Sequence, residues 1–237
     1  MPKNKTRLVF LSGVFGNFIP AFLFCIAEVK IDSSLAGILN ALTPLFTILI
    51  GVMFFKMEVS LNRYIGVIIG FVGLSLLFLS KGNITLSYLS YALLVLLATL
   101  FYGINVNVVG QYLQKTGSLN IASLAFCMLI PPSVIILWMT GYFNNPLLEK
   151  SFLFATGAST VLGVFGTALA SVLFYVLVKR SGGLFASTVT YGIPFVAVFW
   201  GLLSGEKITL PQVGCLAIIL VGVYLANNTK SKKFPVE

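Results

Sequence analysis

Long apolar stretches separated by short polar connections make up almost the whole chain. Eight of these stretches are about 20 residues long or longer, the length needed to cross a hydrocarbon core about 30 Å thick at a helical rise of about 1.5 Å per residue. They lie near 8–28, 34–55, 62–80, 88–112, 119–143, 152–178, 183–204 and 208–228. Barrel strands would be about ten residues long with strict alternation. The pattern therefore predicts an all-α polytopic membrane bundle of eight transmembrane helices.

Composition agrees with this prediction. Hydrophobic residues make up 58% of the chain, charged residues make up 9%, and the mean hydropathy is +1.03. A soluble globule of 237 residues would need more polar surface than this. The sequence has no histidine, and the spacing of its three cysteines fits no metal site or redox pair. We expect no cofactor, no metal and no catalytic residue, and a membrane enzyme is the weaker alternative.

The net charge of +9 raises the possibility of nucleic-acid binding, but the positions of the basic residues favour another explanation. If the N-terminus is cytoplasmic, the basic residues inside are Lys3, Lys5, Arg7, Lys56, Arg63, Lys115, Lys179, Arg180, Lys230, Lys232 and Lys233, and those outside are Lys30, Lys81, Lys150 and Lys207. This asymmetry is the positive-inside pattern. We expect a plasma-membrane protein that contacts the lipid bilayer and no nucleic acid. Both termini are predicted to be cytoplasmic, with 230–237 a basic tail.

A colinear series of matching residues indicates an internal repeat. The segment 13–16, Gly-Val-Phe-Gly, recurs at 163–166. The same spacing of 150 pairs Leu23 with Leu173, Phe24 with Phe174, Ala36 with Ala186, Pro44 with Pro194 and Gly51 with Gly201, and it then slips by two to pair Glu58 with Glu206 and Gly66 with Gly214. Each helix is five spans from its copy, and an odd number reverses direction in the membrane. Inverted repeats of this kind are typical of transporters that alternate access.

These residues resemble the EamA type of the drug/metabolite transporter superfamily. The resemblance rests on the runs before each proline, on the glutamate after each broken helix and on the Gly-rich helix that follows. The residues are Leu42-Thr43-Pro44 and Gly192-Ile193-Pro194, Met57-Glu58 and Gly205-Glu206-Lys207, and the segments 66–73 and 214–222. The resemblance implies two five-helix inverted repeats.

This chain departs from the ten-helix pattern that the resemblance implies. Three spans fall in a first repeat, 1–80, and five in a second, 81–229. We expect that two N-terminal helices are missing, through an internal start, a broken gene or a genuine short form. The implied function is efflux of a small organic metabolite or amphipathic compound across the plasma membrane. A truncated, non-transporting remnant of such a carrier is the alternative.

The proline in the second span predicts a break near mid-membrane. Asn40, Thr43 and Thr47 share one helix face. Pro44 donates no amide hydrogen bond and crowds the carbonyl four positions back. The freed carbonyl and the Asn40 amide would then meet where protein or a water-lined cavity can satisfy them.

The seventh span has a proline at the corresponding position, and a second break is predicted there. Pro194 is predicted to free the Thr190 carbonyl beside its own hydroxyl and the Tyr191 ring. Two symmetric breaks near the midplane point to a substrate site between the repeats. The alternative is a pair of hinges without substrate contact.

Polar residues on the fourth span are further candidates. Tyr102 and Asn105 are three residues apart and share a helix face. They are predicted either to bind substrate or to bond between helices. Asn107 and Gln111 are assigned to interhelical bonding.

Two other spans offer possible cavity lining. Asn17 and Thr167 follow matching glycine pairs in the first and sixth spans, and Tyr175 lies farther along the sixth. Packing is the alternative for all three. The Gly-rich third and eighth spans are predicted to pack within the chain, with a homodimer as the other possibility.

The position of the acidic residues limits the substrate. All six lie at span ends, in loops or in the tail: Glu28, Asp32, Glu58, Glu149, Glu206 and Glu237. A cavity of Asn, Thr and Tyr without fixed charge suits a neutral, zwitterionic or amphipathic organic solute. The coupling ion stays open, since proton coupling normally needs an ionisable group inside the membrane.

Overall fold

The structure, a computed structural model, describes residues 3–57, 60–80 and 86–227. Within these ranges the regular elements are all helical and form eight spans, which confirms the all-α class. The spans are α1 (Lys3–Gly13, the π-helical Val14–Phe18 and Ile19–Ala27), α2 (Ser33–Asn40 and Thr43–Phe55), α3 (Leu61–Ser80), α4 (Leu86–Tyr112), α5 (Ser118–Met139), α6 (Lys150–Val161, the π-helical Leu162–Leu169 and Ala170–Ser181), α7 (Gly183–Ser187, the 3-10 turn Thr188–Tyr191 and Gly192–Leu203) and α8 (Leu210–Asn227).

The lengths and compositions of these helices suit a bilayer. Six of the described helices are long and apolar enough to cross a membrane: α1, α2, α4, α5, α6 and α7. The other two spans contain shorter apolar stretches, Tyr64–Leu77 in α3 and Leu210–Ala226 in α8. Large apolar side chains such as Trp138 and Phe154 are exposed over the outer surface. Exposed apolar patches of this extent are rare on soluble monomers and expected on a lipid-facing surface.

The two broken spans, α2 and α7, pack against each other in opposite directions. We name their halves α2a (Ser33–Asn40) and α2b (Thr43–Phe55), and α7a (Gly183–Ser187) and α7b (Gly192–Leu203). The half-helix α2a packs on α7b, and α2b packs on α7a. This reciprocal, antiparallel contact is the geometry that inverted repeats require.

The last helices of the two predicted repeats, α3 and α8, also run antiparallel. A Cβ built on Gly66 would lie 2.8 Å from the Ala226 Cα, and one on Gly73 would lie 2.8 Å from Ile219 Cγ1. The glycines therefore let two backbones approach closely. These Gly-rich faces are used for packing within the chain, and a homodimer stays a prediction.

The first and sixth spans carry the same glycine motif in different surroundings. In α1, a Cβ on Gly13 would lie 3.0 Å from the Ala125 Cβ of α5. In α6, nothing lies within 4 Å of such an atom on Gly163. Both motifs adjoin π-helical turns, so the local backbone is repeated although the packing is not.

Several predictions concern residues that the structure does not describe. The basic tail, 230–237, and Glu58 lie outside the described residues. The division of the chain into repeats at 1–80 and 81–229 stays a prediction.

Candidate functional site

The first helix break lies at Ala41 and Leu42, which form a turn between α2a and α2b. Because Pro44 lacks an N–H group, the Asn40 carbonyl has no helical partner. The Thr43 hydroxyl donates to this carbonyl at 2.7 Å and contacts the Asn40 Oδ1 at 3.1 Å. Among the described residues, nothing accepts a hydrogen bond from the Asn40 Nδ2. At the break, the Thr43 hydroxyl thus satisfies the Asn40 carbonyl, and the Asn40 Nδ2 group is left able to donate a hydrogen bond.

The second break differs from the prediction. Ahead of Pro194 the chain tightens into a 3-10 turn, and the Thr190 carbonyl lies within reach of the Gly192 amide. The Thr190 hydroxyl donates to the Ser187 carbonyl at 2.7 Å. The expectation of a free Thr190 carbonyl beside its own hydroxyl is therefore wrong, because the 3-10 turn brings the Gly192 amide to this carbonyl and the hydroxyl bonds to Ser187 instead. For Tyr191 the structure describes the backbone alone.

The two breaks are joined by the crossing of α2a with α7b. A Cβ on Gly37 would meet the Ala197 side chain and would lie 3.7 Å from the Pro194 Cα. One turn away, a Cβ on Gly201 would lie 3.3 Å from the Ser34 Cβ. Small residues on both helices thus allow close contact at this crossing.

The fourth span, α4, binds to both broken helices and to α1. The Asn107 Nδ2 donates to the Thr47 carbonyl of α2b at 2.9 Å and to the Gly103 carbonyl of α4 at 2.8 Å. This agrees with the assignment of Asn107 to interhelical bonding. The Tyr102 ring packs on Phe24 of α1, with ring centroids 6.2 Å apart.

A buried polar group joins α1, α4 and α6. The Ser12 hydroxyl donates to the Asn105 Oδ1 at 2.6 Å and lies 3.3 Å from the Tyr175 hydroxyl. Ser12 and Tyr175 are almost fully buried, with 1% and 2% of their surfaces exposed. The structure therefore brings together two predicted residues from spans far apart in sequence. Sequence reasoning missed Ser12, although its place next to the repeated glycine motif was a usable signal.

The π-helical turns position the remaining candidates. Asn17, in the turn of α1, accepts a hydrogen bond from the Ser171 hydroxyl of α6 at 3.0 Å. Thr167 lies in the turn of α6 and, among the described residues, makes no side-chain hydrogen bond. Ser171, one turn beyond Thr167, is thus the residue that bonds to the α1 turn. Single π-helical turns often mark functional positions.

These contacts define two polar groups linked by α4. The first consists of Asn40 and Thr43 at the break in α2, and the second consists of Ser12, Asn105 and Tyr175. Both consist of neutral amides and hydroxyls, which can donate and accept hydrogen bonds. In the described part of the chain, no three residues among His, Cys, Asp and Glu cluster in a way that could hold a metal.

Acidic residues meet at one end of the crossing instead. Partial burial raises the pKa of the Glu28 carboxyl above its ordinary value, and the negative charge of Glu206 raises this pKa further. Glu28 follows α1, and Glu206 follows α7, so both lie outside the apolar helices. These two carboxyl groups therefore lie at the end of the crossing, and not among the polar groups within the bundle.

Comparison with known proteins identifies the family. The model of the EamA-like transporter family matches residues 2–79 and 89–228. The chain belongs to this family. The EamA-like chain is similar to an uncharacterized transporter of Archaeoglobus fulgidus, with 24% identity over 229 residues that cover 92% of this chain and 76% of that protein.

A solved crystal structure has a similar fold. It aligns with a TM-score of 0.62 and 16% identity, covering 95% of this chain and 76% of its own. At that identity the likeness concerns the fold alone. Together with the apolar helices, the family match makes this EamA-like chain a multi-pass membrane protein of the drug/metabolite transporter type.

Proposed function

We propose that this protein moves a small organic solute outward across the plasma membrane by alternating access at the crossing of α2 and α7. The observation that carries the proposal is the reciprocal packing of four half-helices, α2a on α7b and α2b on α7a. A break within each span lets its halves tilt separately. Opening at one end of the crossing can then accompany closing at the other, with both termini on the cytoplasmic side.

The polar groups suggest the class of solute. Amides and hydroxyls without fixed charge bind neutral or zwitterionic polar groups, while aromatic rings such as Phe24 and Tyr102 accept the apolar part of an amphipathic solute. We propose that Asn40 donates its Nδ2 hydrogen to the solute, because this buried amide has no acceptor among the described residues. The remaining lining is proposed from Asn17, Thr43, Pro44, Tyr102, Asn105, Thr167, Tyr175, Thr190, Tyr191 and Pro194.

Exchange in proteoliposomes tests this proposal. Purified protein is reconstituted, and counterflow is measured with three labelled probes: phenylalanine as a zwitterion, uridine as a neutral polar solute and tetraphenylphosphonium as a lipophilic cation. We expect exchange of phenylalanine or uridine but not of the cation. A wild-type protein that exchanges none of these probes faster than empty liposomes would contradict the proposal.

Variants test the site itself. Losing one buried hydrogen bond to the solute costs about 1.5 kcal/mol, so Asn40→Ala is expected to lower exchange about tenfold. Tyr191→Ala is expected to lower it as well. Ser75→Ala is the matched control, since the exposed Ser75 hydroxyl bonds locally to the Phe71 carbonyl on α3. Wild-type exchange in both site variants, at equal amounts of protein, would show that the breaks are hinges without solute contact.

A further inference from the structure

One carboxylate bridges the two halves of the chain at the end of the crossing. The Glu206 Oε1 accepts a hydrogen bond from the Ser33 amide at 3.0 Å, and its Oε2 accepts one from the Ser34 amide at 3.1 Å. These amides open α2a, and Glu206 follows α7b. The carboxylate therefore caps a helix that lies more than 170 positions away in the sequence.

The chain around Glu206 is built to hold it there. Gly205 has a φ of +84°, a left-handed conformation that glycine adopts readily. The Glu206 amide then returns to the Gly201 carbonyl at 2.9 Å. A Cβ on Gly201 would lie only 2.5 Å from the Glu206 Oε2. Gly205 thus turns the chain, and Gly201 makes room for the carboxylate.

The cap replaces a local one. The residue at the N-cap position of α2a, Asp32, makes no capping hydrogen bond to this helix. The first amides of a helix need acceptors, and a negative charge near them is stabilising because of the helix dipole. Hydrogen bonds to a charged acceptor are also stronger than neutral ones. Glu206 therefore supplies the side-chain acceptors for the first amides of α2a, a role that Asp32 does not take.

We propose that Glu206 is a positioning residue for transport, a latch that holds α2a against α7b and must release them for this end of the crossing to open. This inference rests on the proposed alternating access. The latch joins the parts that have to separate, and its two hydrogen bonds add to the close packing of small residues along the crossing. Its loss is expected to favour the conformation that is open at this end.

Cysteine accessibility in purified protein tests the latch without any solute. The chain offers a matched pair of reporters in Ala36 of α2a and Ala186 of α7a, which are 1% and 0% exposed and correspond at the spacing of 150. Each is changed to cysteine in a background in which the three native cysteines are replaced. The protein is placed in nanodiscs, and the rate of reaction with a water-soluble maleimide is measured.

We expect Glu206→Ala to speed labelling of Ala36→Cys about tenfold, within the range of typical coupling energies, and to leave Ala186→Cys unchanged or slower. Glu206→Gln keeps one oxygen acceptor without the charge and is expected to give an intermediate rate. Glu149→Ala is the control, since Glu149 is an exposed carboxylate bonded to its neighbour Ser151. It should not change either rate.

Two results would overturn the latch. Equal acceleration at both reporters would mean that Glu206 supports general stability, and unchanged labelling of Ala36→Cys in both Glu206 variants would mean that the contact holds nothing closed. Neither result depends on solute exchange. If the Glu206 variants speed labelling of Ala36→Cys as expected but the wild-type protein exchanges no probe in proteoliposomes, the latch stands and the proposed function is contradicted.

Discussion

The contact between α3 and α8 allows a quantitative prediction from a single methyl group. A Cβ on Gly222 would lie 2.7 Å from the Gly66 carbonyl oxygen and 2.9 Å from the Gly70 Cα. Both are backbone atoms, so no side chain can rotate away. The Gly70 amide nitrogen lies nearer still. Non-bonded heavy atoms pack at about 3.5 Å or more, and the helices must therefore separate by roughly 1 Å in Gly222→Ala.

Such a separation forfeits a quarter to a half of the dispersion energy between the facing atoms, and overpacking of this kind typically costs about 1–3 kcal/mol. In a bilayer the loss is not recovered, because helix association depends on close packing rather than on a hydrophobic driving force. We expect Gly222→Ala to lower the free energy of unfolding by about 1–3 kcal/mol. Titration of purified protein in mixed micelles with sodium dodecyl sulfate, followed by tryptophan fluorescence, measures this change.

Gly214→Ala on the same helix is the control, since nothing lies within 4 Å of its added methyl group. It should be neutral or slightly stabilising, because alanine favours helix by up to about 1 kcal/mol over glycine. If both variants unfold at the same detergent fraction, the close approach of α3 and α8 does not hold the bundle together, and the reasoning is refuted.

Two further predictions concern polar groups. Asn107→Ala removes the hydrogen bond from α4 to the Thr47 carbonyl. It is expected to lower the free energy of unfolding by about 0.6 kcal/mol, and by no more than about 1.7 kcal/mol, in the same titration, while exchange per folded molecule is retained. A loss of exchange without a loss of stability would contradict a purely interhelical role. Because its pKa is raised in the folded protein, Glu28 favours folding when protonated, and this contribution is lost as pH rises from the ordinary value of 4.5 through the raised one. The melting temperature of Glu28→Gln relative to wild type should therefore increase across that window, and a difference that stays constant with pH would refute the shift.

Much of the fold follows from local properties of the sequence. Apolar stretches of membrane length, with charges confined to their ends, leave helix as the structure that satisfies the backbone within each segment. Pro44 predicts the break in α2 by itself, because a missing N–H and a ring clash act on the carbonyl four positions back. The repeated glycine motifs at 13–16 and 163–166 likewise adjoin π-helical turns in both copies.

The partners of the polar side chains depended on tertiary contacts. The Thr190 hydroxyl donates to the Ser187 carbonyl because α7 tightens into a 3-10 turn, and Pro194 alone does not specify this turn. Asn105 found Ser12 and Tyr175 on other helices, and the sequence contains no local signal for which helices adjoin.

The sequence by itself determined the class of protein, the succession of apolar helices and the break at Pro44, because these depend on hydropathy, length and the chemistry of proline. The tertiary structure decided which half-helices meet. It also placed Glu206 on the amides of Ser33 and Ser34. The motif of a glutamate after a broken helix does not show which helix the carboxylate caps, since the spacing between the two is set by the packing of all the helices between them.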